Sequence, residues 1–183
     1  MENKSIKEVD IAYIAGLIDG EGYIGIKKCP PSKTRCTVNP SYHARIQVRM
    51  VDEPAIKFIT DTLGGTYTKE KQPQNPNRRI LFLYGTSNAK AESILKTILP
   101  YLKVKQAVAQ EVIKLREYQS NREKHKTKVT GYRDFPNSHG AIGRVSNRSF
   151  SDEYIGMCES FYIRCKELNN GPYSKNLLKK EVM

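Results

Sequence analysis

Residues Tyr13–Ile26 read YIAGLIDGEGYIGI, and set two carboxylates, Asp19 and Glu21, among four glycines where a helical pattern gives way to a strand. Upstream spacing predicts a helix from near Asp10 to Asp19, with Asp10 as N-cap or a Ser5/Glu8 capping box just ahead of it. Ala12, Gly16 and Gly20 stand four apart, so on that helix they form one ridge almost bare of side chains. Each glycine in a helix interior costs about 0.5–1 kcal/mol relative to alanine, which calls for a compensating close contact. The ridge meets either the protein's own core or a second copy of the same helix. In the second case two Glu21 carboxylates meet near a twofold axis, where like charges need divalent cations between them. Hard cations such as Mg²⁺ or Mn²⁺ favour oxygen ligands, which makes Glu21 a candidate metal ligand. Asp19 is expected to hold backbone at the helix end.

Downstream, residues 22–29 (GYIGIKKC) read as a strand, followed by a basic, proline-rich loop holding Lys33 and Arg35. The clearest strand is residues 43–51, HARIQVRMV. Period two places His43, Arg45, Gln47 and Arg49 on one face and Ala44, Ile46, Val48 and Met50 on the other. A half-buried strand needs an outer polar face. It does not need this one, whose side chains match base edges: Arg pairs with guanine and Gln with adenine. A plainly solvated face is the ordinary alternative.

A helix is predicted over 52–63, ended by Gly64. A hairpin follows, GTYTKEK and then ILFLYG, with Tyr67, Lys69 and Lys71 sharing a face and Arg79 opening the return strand. The register of residues 80–84 is open, because the run is apolar throughout. Helices are predicted over 88–99 and 103–118, and a last one from Ser151 to about Asn170. Residues 120–150, basic and rich in Gly, Ser and Asn, read as a loop or insertion. The division is therefore a core over 1–119, the basic segment, and a C-terminal helix and tail over 151–183. The order is α+β, with an antiparallel sheet covered by helices on one face.

The formal net charge is +12, unevenly placed. Residues 22–85 hold 11 Lys/Arg against 4 Asp/Glu, residues 120–150 hold 7 against 2, and the remainder balances. Solubility does not require such segregation, whereas a polyanionic partner does. The candidate nucleic-acid set is Lys27, Cys29, His43, Arg45, Gln47, Arg49, Lys69, Lys71 and Arg79, extended by Lys33 and Arg35. The 120–150 segment is expected to meet phosphates, adding salt-dependent affinity without sequence information. Cys29, Cys36, Cys158 and Cys165 are spaced too widely for a zinc finger and read as free thiols in a reducing compartment. The chain has no apolar run long enough to span a bilayer and no secretory leader, so a soluble intracellular protein is the expectation.

YIAGLIDGEG resembles the LAGLIDADG motif of homing endonucleases, with Ile14 in place of the leading Leu and Glu21 at the final acid. The element order over residues 9–119 is similar to that fold. LPYLKVKQA (Leu99–Ala107) resembles the family segment that carries an active-site lysine, here Lys105. The resemblance implies saddle-shaped sheets on long double-stranded DNA sites and cutting of both strands to leave 3′ overhangs. It further implies a divalent metal held by Glu21 and the Gly20 carbonyl, with Lys105 steadying charge on the phosphate. Double-motif relatives act as monomers. Here the nearest internal echo, EYIGMCESFYI at 153–163, lacks the acidic ending. A homodimer through Ala12, Gly16, Asp19 and Gly20, on a near-palindromic target, is the consequence. The alternatives are an intron maturase acting on RNA and a non-catalytic DNA-binding regulator. An intein is disfavoured, because no splicing block is visible.

Overall fold

The computed structural model of the chain describes residues 6–31, 38–70, 79–136 and 142–170. Helix α1 (Glu8–Glu21) leads into strand β1 (Gly22–Cys29), then β2 (Ser41–Met50) and α2 (Glu53–Leu63). Strands β3 (Thr66–Lys69) and β4 (Phe82–Ser87) follow, then α3 (Asn88–Ile98), a 3₁₀ turn (Leu99–Tyr101) and α4 (Gln106–Ser120). A second 3₁₀ turn (Arg122–His125) opens into β5 (Lys126–Pro136) and β6 (Ile142–Phe150), and α5 (Asp152–Asn170) comes last.

The first four strands make one antiparallel sheet in the order β1-β2-β4-β3. Alternation in β2 holds as read: Tyr42, Ala44, Ile46 and Val48 are buried, while His43, Arg45, Gln47 and Arg49 turn to the other face. The inward rows of β1 and β4 (Ile24, Ile26, Phe82, Tyr84) join them, and the helices close over this face. Ile14 and Ile18 of α1, Ile56 and Ile59 of α2, Leu95 and Ile98 of α3, and Val112 and Leu115 of α4 are all buried there. Burial of an aliphatic side chain this complete is worth about 1.5–3 kcal/mol. Pairing of Val48 with Tyr84 and of Arg49 with Leu83 settles the apolar run: Phe82 and Tyr84 face the core and Leu83 faces out.

Helix α5 fastens the free edge of β1, a position that otherwise invites pairing with another chain. Asn169 Nδ2 donates to the Ile24 carbonyl at 3.0 Å. Glu159 accepts from Lys28 Nζ at 2.8 Å and from the Tyr42 hydroxyl. Cys158 and Cys165 are buried on this helix as free thiols, and Cys29 is likewise free.

Several boundaries differ from expectation. Asp10 is not the N-cap: α1 starts at Glu8 behind an extended Lys7, and the Asp10 N–H already bonds to the Lys7 carbonyl at 3.1 Å. Helix α4 begins at Gln106 rather than Lys103, because the intervening N–H groups bond elsewhere, as described below. The 120–150 segment is not a loop: β5 and β6 pair as a two-stranded antiparallel ribbon. Its low apolar content hid it from a reading based on hydrophobic periodicity. Cys36, Lys33, Arg35 and Lys71 lie outside the described residues.

Gly22 ends α1, its N–H bonded to the Ile18 carbonyl, and a Cβ added to it would stand 2.7 Å from that oxygen and 2.8 Å from the Ile18 Cα. Both are backbone atoms, so helix and strand would have to part. Gly22→Ala is expected to destabilise the fold by about 1–3 kcal/mol, read as a lower urea midpoint at unchanged slope.

Candidate nuclease site and nucleic-acid interface

Helix α1 carries its charges against its own dipole at one end. Glu8 and Asp10 in the first turn suit the positive N-terminus, but Asp19 and Glu21 stand at the negative C-terminus and the last turn has no basic residue. For Asp19 the offset is visible. Its carboxylate accepts the backbone N–H groups of Lys103 (2.6 Å), Val104 (3.1 Å) and Lys105 (2.9 Å), the segment that leads into α4. Partial burial pushes the Asp19 carboxyl up, but those N–H bonds and the Lys105 charge outweigh it, holding its pKa below the ordinary carboxylate value. Asp19 thus holds backbone at the helix end, as the sequence led us to expect.

The same segment returns a cation to α1. Lys105 Nζ donates to the Ile18 carbonyl at 3.0 Å, which the Gly22 N–H also reaches, and to the Asp19 carbonyl, one of the terminal acceptors that a helix end leaves short of partners. An ammonium has three N–H donors, so one remains for a further acceptor. Glu21, the last residue of α1, is exposed, and its carboxylate has no hydrogen bond or ion pair among the described residues. One acid at this helix end is fully used and the other is free.

Both sit where β1 begins, at one end of the sheet's outer face. That face forms a groove of about 440 Å³ lined by Lys27, Cys29, His43, Arg45 and Gln47, with Thr66, Thr68, Leu83, Gly85 and Ser87 opposite. Five of the expected residues thus meet in one groove. The His43 ring contacts Asn88 Oδ1 at 3.3 Å and Ser41 Oγ at 3.0 Å. Arg49 shares the outer face but is tied to Glu70 by an ion pair.

Besides Arg49, two of the described candidates fall outside the groove. Lys69 pairs with Phe82, whose side chain is buried, so Lys69 and Tyr67 belong to the helix-side face of edge strand β3; Thr66 and Thr68 face the groove instead. Arg79 is exposed ahead of β4 and does not line the groove. Tyr23 was missed: with Gly25, Lys27 and Cys29 it occupies the outer row of β1, and its ring folds over Gly25, where a Cβ would clash. Alternation in GYIGIKKC would have found it.

The donors here fit a hard cation in kind. The Glu21 carboxylate and the Gly20 carbonyl are oxygens at one helix end. They do not complete a shell, and no group of three or more His, Cys, Asp or Glu that could hold a metal occurs among the described residues. Further oxygens would come from a second chain or from the substrate.

Removing the Asp19 carboxylate leaves three N–H groups without their acceptor. Asp19→Ala should cost about 1–2 kcal/mol in urea unfolding, whereas Glu21→Ala should leave stability within about 0.5 kcal/mol. The pH sign follows from the depressed Asp19 pKa: wild-type advantage over Asp19→Ala is full above the unfolded carboxylate value of about 3.9 and is lost as pH falls through the lower folded value. Unfolding midpoints from pH 7 down to acid check both statements.

No family model and no curated protein matches the sequence. Solved structures do match. The homing endonuclease I-CvuI, solved with a DNA target left uncleaved in magnesium, superposes with a TM-score of 0.61 at 16% identity over 91% of this chain and 85% of that one. Archaeal intron-encoded I-Vdi141I, solved with DNA, gives 0.50 at 16% identity over 63% of this chain and 72% of that one. The LAGLIDADG homing endonuclease I-LtrWI, bound to target DNA, gives 0.50 at 20% identity over 63% of this chain and 39% of a longer one. Element order, the β1-β2-β4-β3 sheet and the helices on one face give this chain the fold of the LAGLIDADG homing endonucleases.

Proposed function

We propose that this chain is a homodimeric, divalent-metal-dependent endonuclease that cuts both strands of a long, near-palindromic DNA site and leaves 3′ overhangs. The observation that carries the reading is the end of α1: a free Glu21 carboxylate beside a lysine held by Asp19 and the helix carbonyls. A carboxylate with no partner at the negative end of a helix is locally unfavourable, the kind of local conflict that marks function. A non-catalytic regulator has no use for it.

Hydrolysis replaces one P–O bond by another. Water adds to phosphorus, the 3′ oxygen leaves and takes a proton, and the water's proton passes to solvent. Glu21 and the Gly20 carbonyl would hold Mg²⁺ or Mn²⁺, which supplies activation of the nucleophile and neutralisation of the leaving oxygen. The remaining Lys105 N–H is free to donate to a phosphoryl oxygen as its charge grows. The groove side chains, Lys27, His43, Arg45 and Gln47 above all, would meet base edges, with Cys29 and Tyr23 beside them.

Dimerisation rests on α1. Ala12, Gly16 and Gly20 are exposed together with Val9 and Tyr13, and Cβ atoms built on Gly16 or Gly20 meet nothing within 4 Å. An apolar helix face beside the free acid suits a second copy related by a twofold axis.

The deciding test is a randomised duplex library cut in Mg²⁺ by wild type and by Glu21→Gln. Cleavage by the wild type alone, at sites sharing a near-palindrome, is the expected outcome. A palindrome bound by both proteins and cut by neither would replace the enzyme reading with the regulator or maturase one. For the dimer, Gly16→Leu fills open space and should leave the monomer folded while sedimentation shifts to monomer and cleavage is lost. A Gly16→Leu dimer of full activity would refute the α1 interface.

A further inference from the structure

The ribbon β5–β6 has no role in the site described. It pairs with no strand of the main sheet, and its ends meet at the start of α5. Residues 126–150 carry Lys126, Lys128, Arg133, Arg144 and Arg148 against a single acid, Asp134. A two-stranded hairpin alone is marginal in water, and one loaded with like charge is worse. Such a segment calls for a polyanion.

Its root says where that polyanion would lie. The Phe150 N–H donates to Asn39 Oδ1 at 2.9 Å, and the Ser151 N–H donates to the His125 carbonyl at 3.0 Å. The Phe150 ring stacks on Tyr154 with centroids 4.8 Å apart, and Tyr154 in turn stacks on Tyr118 at 5.4 Å. These contacts pin the ribbon beside Ser41, the opening residue of β2, which pairs with Cys29 at the end of β1. Gly22, next to Glu21, is at the other end of β1. Seven residues of strand separate the two, about 23 Å. The ribbon is therefore rooted at the end of the groove remote from the nuclease site. A cleft of about 240 Å³ at the root, lined by His43, Asn88, Arg116, Gln119 and Arg122, continues the polar surface outward from the groove.

We infer that the ribbon is a second DNA-binding element, which lies in a groove of the duplex outside the segment read by the four-stranded sheet and lengthens each half-site. A two-stranded ribbon has the cross-section the B-DNA major groove admits. The nine residues of β6 span about 30 Å, close to one helical turn, which limits the added contact to about nine base pairs per side. Register shifts between Lys126 and Gly131 mark a bulge near the root, a feature that bends a ribbon and increases its twist. The inference rests on the endonuclease reading for its duplex partner, and the two can fail separately.

The test uses the full chain and the duplex that wild type selects from the library, in Ca²⁺ to prevent cutting. The variant replaces Lys128, Arg133, Arg144 and Arg148 by Gln, with circular dichroism to verify folding. The expected result is a hydroxyl-radical footprint shortened at both outer ends, and a salt slope of log Kobs less steep by about 2–4. The preferred central sequence and the cut positions stay the same. As an independent arm, trimming the duplex beyond the reach of the sheet should weaken wild-type binding about tenfold or more and leave the variant's binding almost unchanged. Wild type that cuts its target with equal footprints, salt slopes and trimming responses in both proteins would overturn the ribbon's role alone, including where the ribbon proves to hold RNA instead. Wild type that binds no duplex would sink both readings.

Discussion

Everything at the candidate site depends on a two-way clasp between the end of α1 and the segment that starts α4. Asp19 offers its carboxylate to three successive N–H groups, and Lys105 offers its ammonium to two α1 carbonyls. Each half answers a cost the other creates. An acid at a helix C-terminus is unfavourable unless donors surround it, and an ammonium beside main chain needs acceptors. The clasp delays the start of α4 to Gln106 and fixes where the lysine stands. Glu21, two residues on, is left without such compensation. The contrast separates the carboxylate that holds the fold from the one left unpartnered more sharply than their spacing could.

The sheet divides its labour by the pleat. One row of β2 builds the core with Ala44, Ile46 and Val48, and the alternate row meets solvent with His43, Arg45 and Gln47. This was legible because β2 is central and half-buried, so period two had to appear in the sequence. It was legible at the end of α1 too, where glycines and acids follow rules of their own. Residues 80–84 were not legible, since every member is apolar and only pairing with β2 decides that Leu83 faces out. Lys69 was misplaced for a related reason. Tyr67 and Lys69 do share a face, but a short edge strand lets a lysine on the helix side reach water, so its charge said nothing about which face it was on.

The ribbon was illegible for a different reason. Sequence patterning reports burial, and the 126–150 stretch has few apolar residues to make a pattern. What the sequence did report was charge, which suggests the kind of partner without locating a fold. The aromatic group at the root, Tyr118, His125, Phe150 and Tyr154, is spread over four elements and becomes a cluster only once α4 and α5 are packed. No local spacing could have assembled it.

These placements give stability and recognition different addresses. The helix-side face, the clasp and the α5 fastening hold the fold, and the groove row contributes little to it beyond the His43 contacts and the Arg49–Glu70 pair. Half-buried or exposed polar side chains outside the core can change at a cost of about 0.5–1 kcal/mol. The groove lining at Lys27, Arg45 or Gln47 can therefore change while the core and the acid at the helix end stay as they are. The same does not hold for α1. Its fourteen residues bury Ile14, Ala15 and Ile18, leave Gly16 and Gly20 bare, seat Asp19 on the α4 approach and leave Glu21 free at once. Few sequences meet all four demands. This chain reaches the fold of I-CvuI at 16% identity, so the core packing of that fold has many sequence solutions.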